Sequence, residues 1–244
     1  MQVTFLGCGD AFGSGGRYQT CILLASPSQK ILLDCGCSAL IAMRRYGVDP
    51  NEISAIFLTH LHGDHFGGVP FFLLDAQMIS KRTAPLTIVG PPGTRERILS
   101  LMEVMFPGSS KVQQAFTWEI FDLEPGTLRD VAGAKLTTYP MVHPSGSPST
   151  AVRINFDGRT VVYSGDTEWN DGLTAATRGS DLLISECYSY DTPVKFHLNH
   201  QILVERLPEL GVKRVILTHM GREMLGRVDE AAWETAADGM MVEI

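Results

Sequence analysis

Apolar residues along this chain come in short dense bursts rather than in long stripes. "QVTFLG", "TCILLAS" and "KILLDCG" open the sequence, separated by Gly- and Ser-rich turns, and each has the length of a strand. "SALIAMRRYG" has the pattern of a helix and stops at Gly47, a residue suited to a helix C-terminus. "ISAIFLTH" reads as a buried strand, and "VPFFLLDAQMIS" has helical length with a broad apolar face. The alternation continues through strand "LTIVG", helix "TRERILSLMEVMF" after a Pro-Pro-Gly breaker, and strand-like "AFTWEIFDL". Further strands are expected at "AKLTTYPM", "TAVRINF", "RTVVYSG" and "DLLISE". A helix at "QILVERLPELG" leads into strand "KRVILTH", then a helix near "VDEAAWETA" and a final strand "MMVEI". No repeat or long polar linker interrupts the series. It predicts one α/β domain over residues 1–244, with strands in the middle and helices outside.

Chemistry gathers where those strands end, as loops at strand ends commonly carry function. "FLTH", "YPMVH", "VVYSGD" and "VILTH" each run as an apolar strand into a side chain able to ligate a metal. "THLHGDHFGG" places His60, His62 and His65, three of the seven histidines, within six positions, with Asp64 between the last two. His143, Asp166 and His219 follow other strands. Imidazole nitrogens with carboxylate oxygens are the ligand set of a borderline metal such as zinc.

Composition narrows the classes. Lys plus Arg number 20 against 27 Asp plus Glu, a net charge of −7. A uniformly negative surface repels nucleic-acid backbones, and no basic patch is evident, so nucleic acid is not an expected partner. No apolar run is long enough to span a bilayer, and the N-terminus lacks the pattern of a signal peptide, which points to the cytoplasm. Five cysteines, Cys8, Cys21, Cys35, Cys37 and Cys187, are an odd set that reads as free cytosolic thiols.

The motifs "THLHGDHFGG", His143, "SGDT" with Asp166 and "LTHMG" with His219, together with "LLDCG", resemble the metallo-β-lactamase superfamily in order and across nearly the whole chain. The resemblance implies an αββα sandwich, two mixed sheets flanked by helices with a metal site along one edge. It implies that His60, His62 and His143 hold one divalent ion, that Asp64, His65 and His219 hold a second, and that Asp166 bridges them. Zinc is the expected metal, with manganese or iron as substitutes. Asp64 and His197 are the candidate catalytic residues, Asp64 having an alternative role as an orienter of a neighbouring histidine. Asp34 is read as structural, bonding backbone or orienting a ligand.

Asp at position 166 resembles the branches acting on esters, thioesters or phosphodiesters. "LGCGDAFGSGGRYQT", "GDHFGGVPFFL" and His197 in "FHLNH" resemble the branch of ribonuclease Z and the cyclic phosphodiesterases. There a histidine such as His197 stabilises phosphate charge or protonates the leaving oxygen. His200 reads as a bystander. Glu186 in "SECY" matches an acidic position of the ribonuclease branch, but Ser185 stands where that branch has histidine; Glu186 could still orient His197. The short interval between His143 and Asp166 leaves no room for the basic arm with which long-arm ribonuclease Z enzymes clasp their substrate.

The reading is a cytosolic dinuclear hydrolase that cleaves a small phosphodiester, such as a cyclic nucleotide or cyclic sugar phosphate, through a metal-bridging hydroxide. Arg17 and the serines of "PSGSPS" are candidate substrate contacts. The alternatives are hydrolysis of a carboxylic ester, lactone or thioester, a non-catalytic metal-dependent binding or carrier protein, and oxygen chemistry at one iron. The resemblance extends to a homodimer, although the pattern shows no interface.

Overall fold

The expected strands assemble into two seven-stranded sheets in a computed structural model that describes residues 1–244. From edge to edge the first sheet runs Met241–Glu243, Gln2–Gly7, Cys21–Ala25, Lys30–Leu33, Ile53–Phe57, Leu86–Gly90 and Trp118–Asp122. Its first four strands pair antiparallel and its last four parallel. The second sheet runs Glu234–Thr235, Val215–Thr218, Leu182–Glu186, Arg159–Tyr163, Ser149–Phe156, Ala134–Met141 and Leu128–Val131. Here again an antiparallel half continues into a parallel half at a shared strand, Arg159–Tyr163. The expected αββα arrangement of mixed sheets is the observed one.

Why the strands read as unbroken apolar runs follows from their position. Successive residues of a strand face opposite sides of the sheet. Ile31 and Leu33 join Val161 and Tyr163 in a core between the two sheets. Leu32 faces the other way, against Ala42, Met43 and Leu73 of the helices Ala39–Arg45 and Val69–Met78. Val162 likewise packs outward, in a cluster with Leu173 of helix Asp171–Thr177 and Leu203 of helix His200–Arg206. With both faces covered, alternation between apolar and polar residues disappears.

The elements differ from expectation in several places. The segment near "VDEAAWETA" is a short 3-10 turn, Val228–Glu230, followed by the edge strand Glu234–Thr235, not a helix. Tertiary contacts override its helical propensity: Trp233 packs into the outer core, and the Ala232 N–H donates to His200 Nε2 at 2.9 Å. The helix expected through "QILVERLPELG" ends at Arg206 and tightens into a 3-10 turn, Leu207–Leu210, at Pro208. Helix Asp171–Thr177 was not expected, although Asn170 caps it by accepting from the Leu173 N–H at 3.0 Å. No helix is long and apolar enough to cross a membrane.

Parallel strands bring their C-terminal ends to one edge of a sheet, where ligands gather in α/β folds. Asp34 follows Lys30–Leu33, His60 follows Ile53–Phe57, Asp166 follows Arg159–Tyr163, and His219 follows Val215–Thr218.

Candidate metal centre

All seven expected ligands meet at that edge. The available donor atoms of His60, His62 and His143 lie within 4.8 Å of one another, as do those of Asp64, His65, Asp166 and His219. His62 Nδ1 is 3.0 Å from His143 Nε2. Asp64 Oδ2 lies 3.2 Å from His65 Nε2 and 3.3 Å from His219 Nε2. Asp166 faces both groups. Its Oδ2 is 3.9 Å from His60 Nε2, 3.8 Å from His143 Nε2 and 3.5 Å from His219 Nε2, and its Oδ1 is 3.3 Å from His65 Nε2. The "THLHGDHFGG" loop delivers its ligands through one helical turn, Gly63–Phe66, which puts Asp64 and His65 beside each other and leaves His60 and His62 before the turn.

The far side of each ring fixes which nitrogen faces the centre. Asp34 is fully buried, and its carboxylate accepts from the Thr59 N–H and hydroxyl, both at 2.8 Å, and from His65 Nδ1 at 2.6 Å. Because the Thr59 hydroxyl hydrogen goes to Asp34, its oxygen is left to accept from His60 Nδ1 at 3.1 Å. One carboxylate thus orients two ligands, one directly and one through Thr59. His143 Nδ1 donates to the Phe196 carbonyl at 3.0 Å. Such outer partners set the tautomer and direction of a ligating imidazole. The structural reading of Asp34 agrees with this geometry. Asp34→Ala is expected to destabilise the metal-free protein by about 3–5 kcal/mol, since it strands buried donors, and to weaken metal binding roughly 10–100-fold. Denaturant titration and metal competition measure the two effects separately.

Electrostatics show what the cluster suits. Burial disfavours charge on His65 and His219, yet Asp166 and Asp64 outweigh it and raise both pKa values, with Asp34 adding to the effect on His65. Burial opposes ionisation of Asp166 too, but His219, His65 and His60 hold its carboxyl well below the usual range. His60 goes the other way, kept neutral by burial and by the charge of His65. His60 Nε2 and Asp166 Oδ1 are buried without a hydrogen-bond partner. Carboxylates that demand positive charge, with imidazole lone pairs aimed at them, fit divalent metal ions.

The centre floors a cavity of about 350 Å³ that is also lined by Phe12, Tyr188, Lys195 and His197. His197 Nδ1 lies 3.0 Å from Glu186 Oε2, and the Tyr188 ring stacks on His197 with centroids 4.8 Å apart. Glu186 is fully buried and also accepts from the Thr167 N–H. Burial pushes Glu186 up, with the Asp166 charge adding to it, and burial pushes His197 down, so neither member of the pair favours its charged form. Tyr188 carried no signal in the sequence. His200 lies apart, stacked on Tyr190 at 4.5 Å, and serves the packing of the last segment.

Two candidate substrate contacts are corrected. Arg17 does not line the cavity; its guanidinium donates to the Ala236 carbonyl at 2.6 Å and to Cys8 Sγ at 3.2 Å. It tethers the N-terminal loop, in which the Cys8 carbonyl accepts from the His219 N–H at 3.0 Å. Ser145 and Ser149 are buried and bond to each other at 3.0 Å, and Ser149 Oγ donates to the His143 carbonyl at 2.7 Å. Ser147 Oγ donates to the Pro92 carbonyl at 2.6 Å. These serines shape the loop after His143. Of the cysteines only Cys37 is exposed, and all five are free.

Fold and cluster together define a metal-dependent hydrolase of the metallo-β-lactamase superfamily, in its ribonuclease Z-like branch. Residues 1–236 match the family described as Anti-Pycsar protein Apyc1, and the chain belongs to that family. Ribonuclease Z of Mycobacterium marinum is 25% identical over 90% of this chain and 86% of its own. The crystal structure of the short form of human tRNase Z superposes with a TM-score of 0.79 at 26% identity, covering 100% of this chain and 99% of that one. The metallo-beta-lactamase fold protein YhfI of Bacillus subtilis gives a TM-score of 0.80 at 23% identity, covering 100% and 99%, and is a likeness of fold. Two of these relatives carry ribonuclease names, so the expectation against nucleic acid finds no support in them.

Proposed function

We propose that the protein is a dinuclear metal-dependent phosphodiesterase whose substrate is a small phosphodiester, a cyclic nucleotide before a cyclic sugar phosphate. In this reading His60, His62 and His143 hold one ion, Asp64, His65 and His219 hold the other, and Asp166 serves both. Zinc suits this mixed nitrogen and oxygen set. Bound there, two divalent ions supply Lewis acidity toward the phosphoryl oxygens and lower the pKa of water.

The chain's own residues account for the rest. Glu186 holds His197 by Nδ1, which leaves Nε2 for the substrate. With both groups neutral, the Glu186 carboxyl donates to Nδ1 and the ring proton sits on Nε2, from which it can be donated to a phosphoryl oxygen or passed to the departing alkoxide. Tyr188 limits tilting of the ring from one side. Lys195 lines the cavity, with its ammonium 4.6 Å from the centre of the Phe196 ring, and can meet the charge of a phosphodiester. Phe12 is 82% exposed at the same cavity. Its backbone is anchored, because buried Asp10 accepts from the N–H groups of Phe12 and Ser14 at 3.1 and 2.9 Å. An aromatic face held in solvent beside a phosphate site suits stacking of a planar base.

The observation that carries this reading is the Glu186–His197 pair beside a complete His/Asp cluster. A small substrate is supported by the interval from His143 to Asp166, which is filled by a loop and the hairpin strands Ser149–Phe156 and Arg159–Tyr163. Metal-loaded protein is expected to hydrolyse a cyclic nucleotide at least about tenfold faster than a matched lactone, thioester or precursor transfer RNA. Faster acyl hydrolysis would assign the centre to the esterase alternative, and faster RNA cleavage would assign it to a ribonuclease.

A further inference from the structure

Phe196, immediately before His197, has a positive φ of 69°, a conformation that costs a bulky residue and persists only where its surroundings impose it. Two contacts do so. Its N–H donates to Glu168 Oε1 at 2.6 Å, and its carbonyl accepts from His143 Nδ1 at 3.0 Å. A carbonyl can only accept, so this bond keeps the proton on Nδ1 and turns Nε2 toward Asp166.

Glu168 is itself held at both backbone ends. Its N–H donates to the Val142 carbonyl at 3.2 Å, and its carbonyl accepts from the Thr167 hydroxyl at 2.6 Å and from Asn170 Nδ2 at 2.9 Å. The Thr167 hydroxyl oxygen in turn accepts from the Val142 N–H at 3.0 Å. Val142 adjoins His143, so the contacts close a circuit: Val142 to Glu168, Glu168 to Phe196, Phe196 to His143.

We infer that Glu168 is a positioning residue for both halves of the site: by holding Phe196 in its left-handed conformation, it fixes the tautomer and direction of His143 and the placement of His197. The Glu168 side chain makes no hydrogen bond to a side chain of the metal cluster; its hydrogen bond goes to the Phe196 N–H. The inference rests on the reading of His143 as a ligand and His197 as a catalytic residue. What it requires of Glu168 is reach and an acceptor oxygen, not charge.

Two conservative variants separate these requirements. Glu168→Gln keeps the reach and an acceptor, so zinc affinity, measured by competition with a chromophoric chelator, should stay within about threefold of wild type. Glu168→Asp keeps the charge but is one methylene short of Phe196, and should weaken zinc binding roughly 10–100-fold and alter the d–d spectrum of the cobalt-loaded protein. Adding Phe196→Gly to Glu168→Asp should recover about tenfold at most, because glycine adopts positive φ without that support. Wild-type affinity in Glu168→Asp, or greater loss in Glu168→Gln than in Glu168→Asp, would overturn the inference. A wild-type protein that binds no zinc or cobalt would overturn the metal-site reading and this inference with it. Zinc binding in the wild type alongside unchanged variants overturns the inference alone.

Discussion

Asp166→Ala is expected to lose at least about 10³-fold in phosphodiesterase turnover and to retain less metal than the wild type after dialysis. Its carboxylate faces both halves of the cluster: its oxygens lie 3.3–3.9 Å from nitrogens of His65, His219, His143 and His60. Alanine would remove the shared donor and also the main charge that opposes burial at His65 and His219. The metal-free variant therefore gives a second readout. A histidine whose folded pKa is raised adds stability that is complete below its unfolded value of 6.5 and is lost as pH rises through the folded value. A carboxylate whose folded pKa is depressed adds stability above its unfolded value of 3.8, lost as pH falls through the folded value. Both contributions overlap between those ordinary values, so the gap in stability between metal-free wild type and Asp166→Ala should be widest at about pH 4–6.5. A gap that stays constant from acid to mildly alkaline pH would contradict the charge balance described for the cluster.

His197→Ala is expected to behave differently. Turnover of a cyclic nucleotide, whose leaving group is an alkoxide, should fall roughly 10²–10⁴-fold while metal content stays unchanged. Loss with bis-p-nitrophenyl phosphate should be smaller, because nitrophenolate departs without needing a proton. Geometry also permits a rival role, since His197 forms possible ligand groups with His143 and Asp166 and with Glu186 and His219. A drop in metal content in His197→Ala would make it a ligand. Equal losses on both substrates would restrict it to holding the phosphate. Glu186→Gln should show a weaker version of the same pattern, because the Nδ1 contact at 3.0 Å orients His197 and does not meet the substrate.

Much of this was legible in the sequence for one physical reason: strands buried on both faces are apolar throughout, so the first polar side chains after them mark the sheet edge. That is why "FLTH", "VVYSGD" and "VILTH" pointed to one place. The interiors of the sheets and the places of His60, Asp166 and His219 followed from it, while the full set of seven ligands came from the resemblance to the metallo-β-lactamase superfamily. Leu128–Val131 escaped notice because an edge strand is half solvated, and "LRDV" carries the mixed pattern of a loop. The terminal helix expected near Trp233 failed because its partners, His200 among them, lie far away in the chain.

Within the site, what stayed hidden was the set of backbone contacts. Asp34 was visible as a structural residue, but its relay through Thr59 to His60 depends on where a hydroxyl hydrogen points. Arg17 looked like a substrate contact because an arginine after a Gly-rich loop has the right chemistry. Only the fold turns it toward Ala236. Asp34, Phe196 and His219 all have positive φ, and at bulky Phe196 this is a conformation that local sequence preference does not announce.

The most direct test is to strip the protein of metal and titrate it with zinc while following hydrolysis of a cyclic nucleotide and the bound metal per chain. Activity should be absent without metal and should reach its plateau as the second equivalent binds. Full activity in the stripped protein, or a plateau at one equivalent that further metal leaves unchanged, would contradict a dinuclear metallohydrolase.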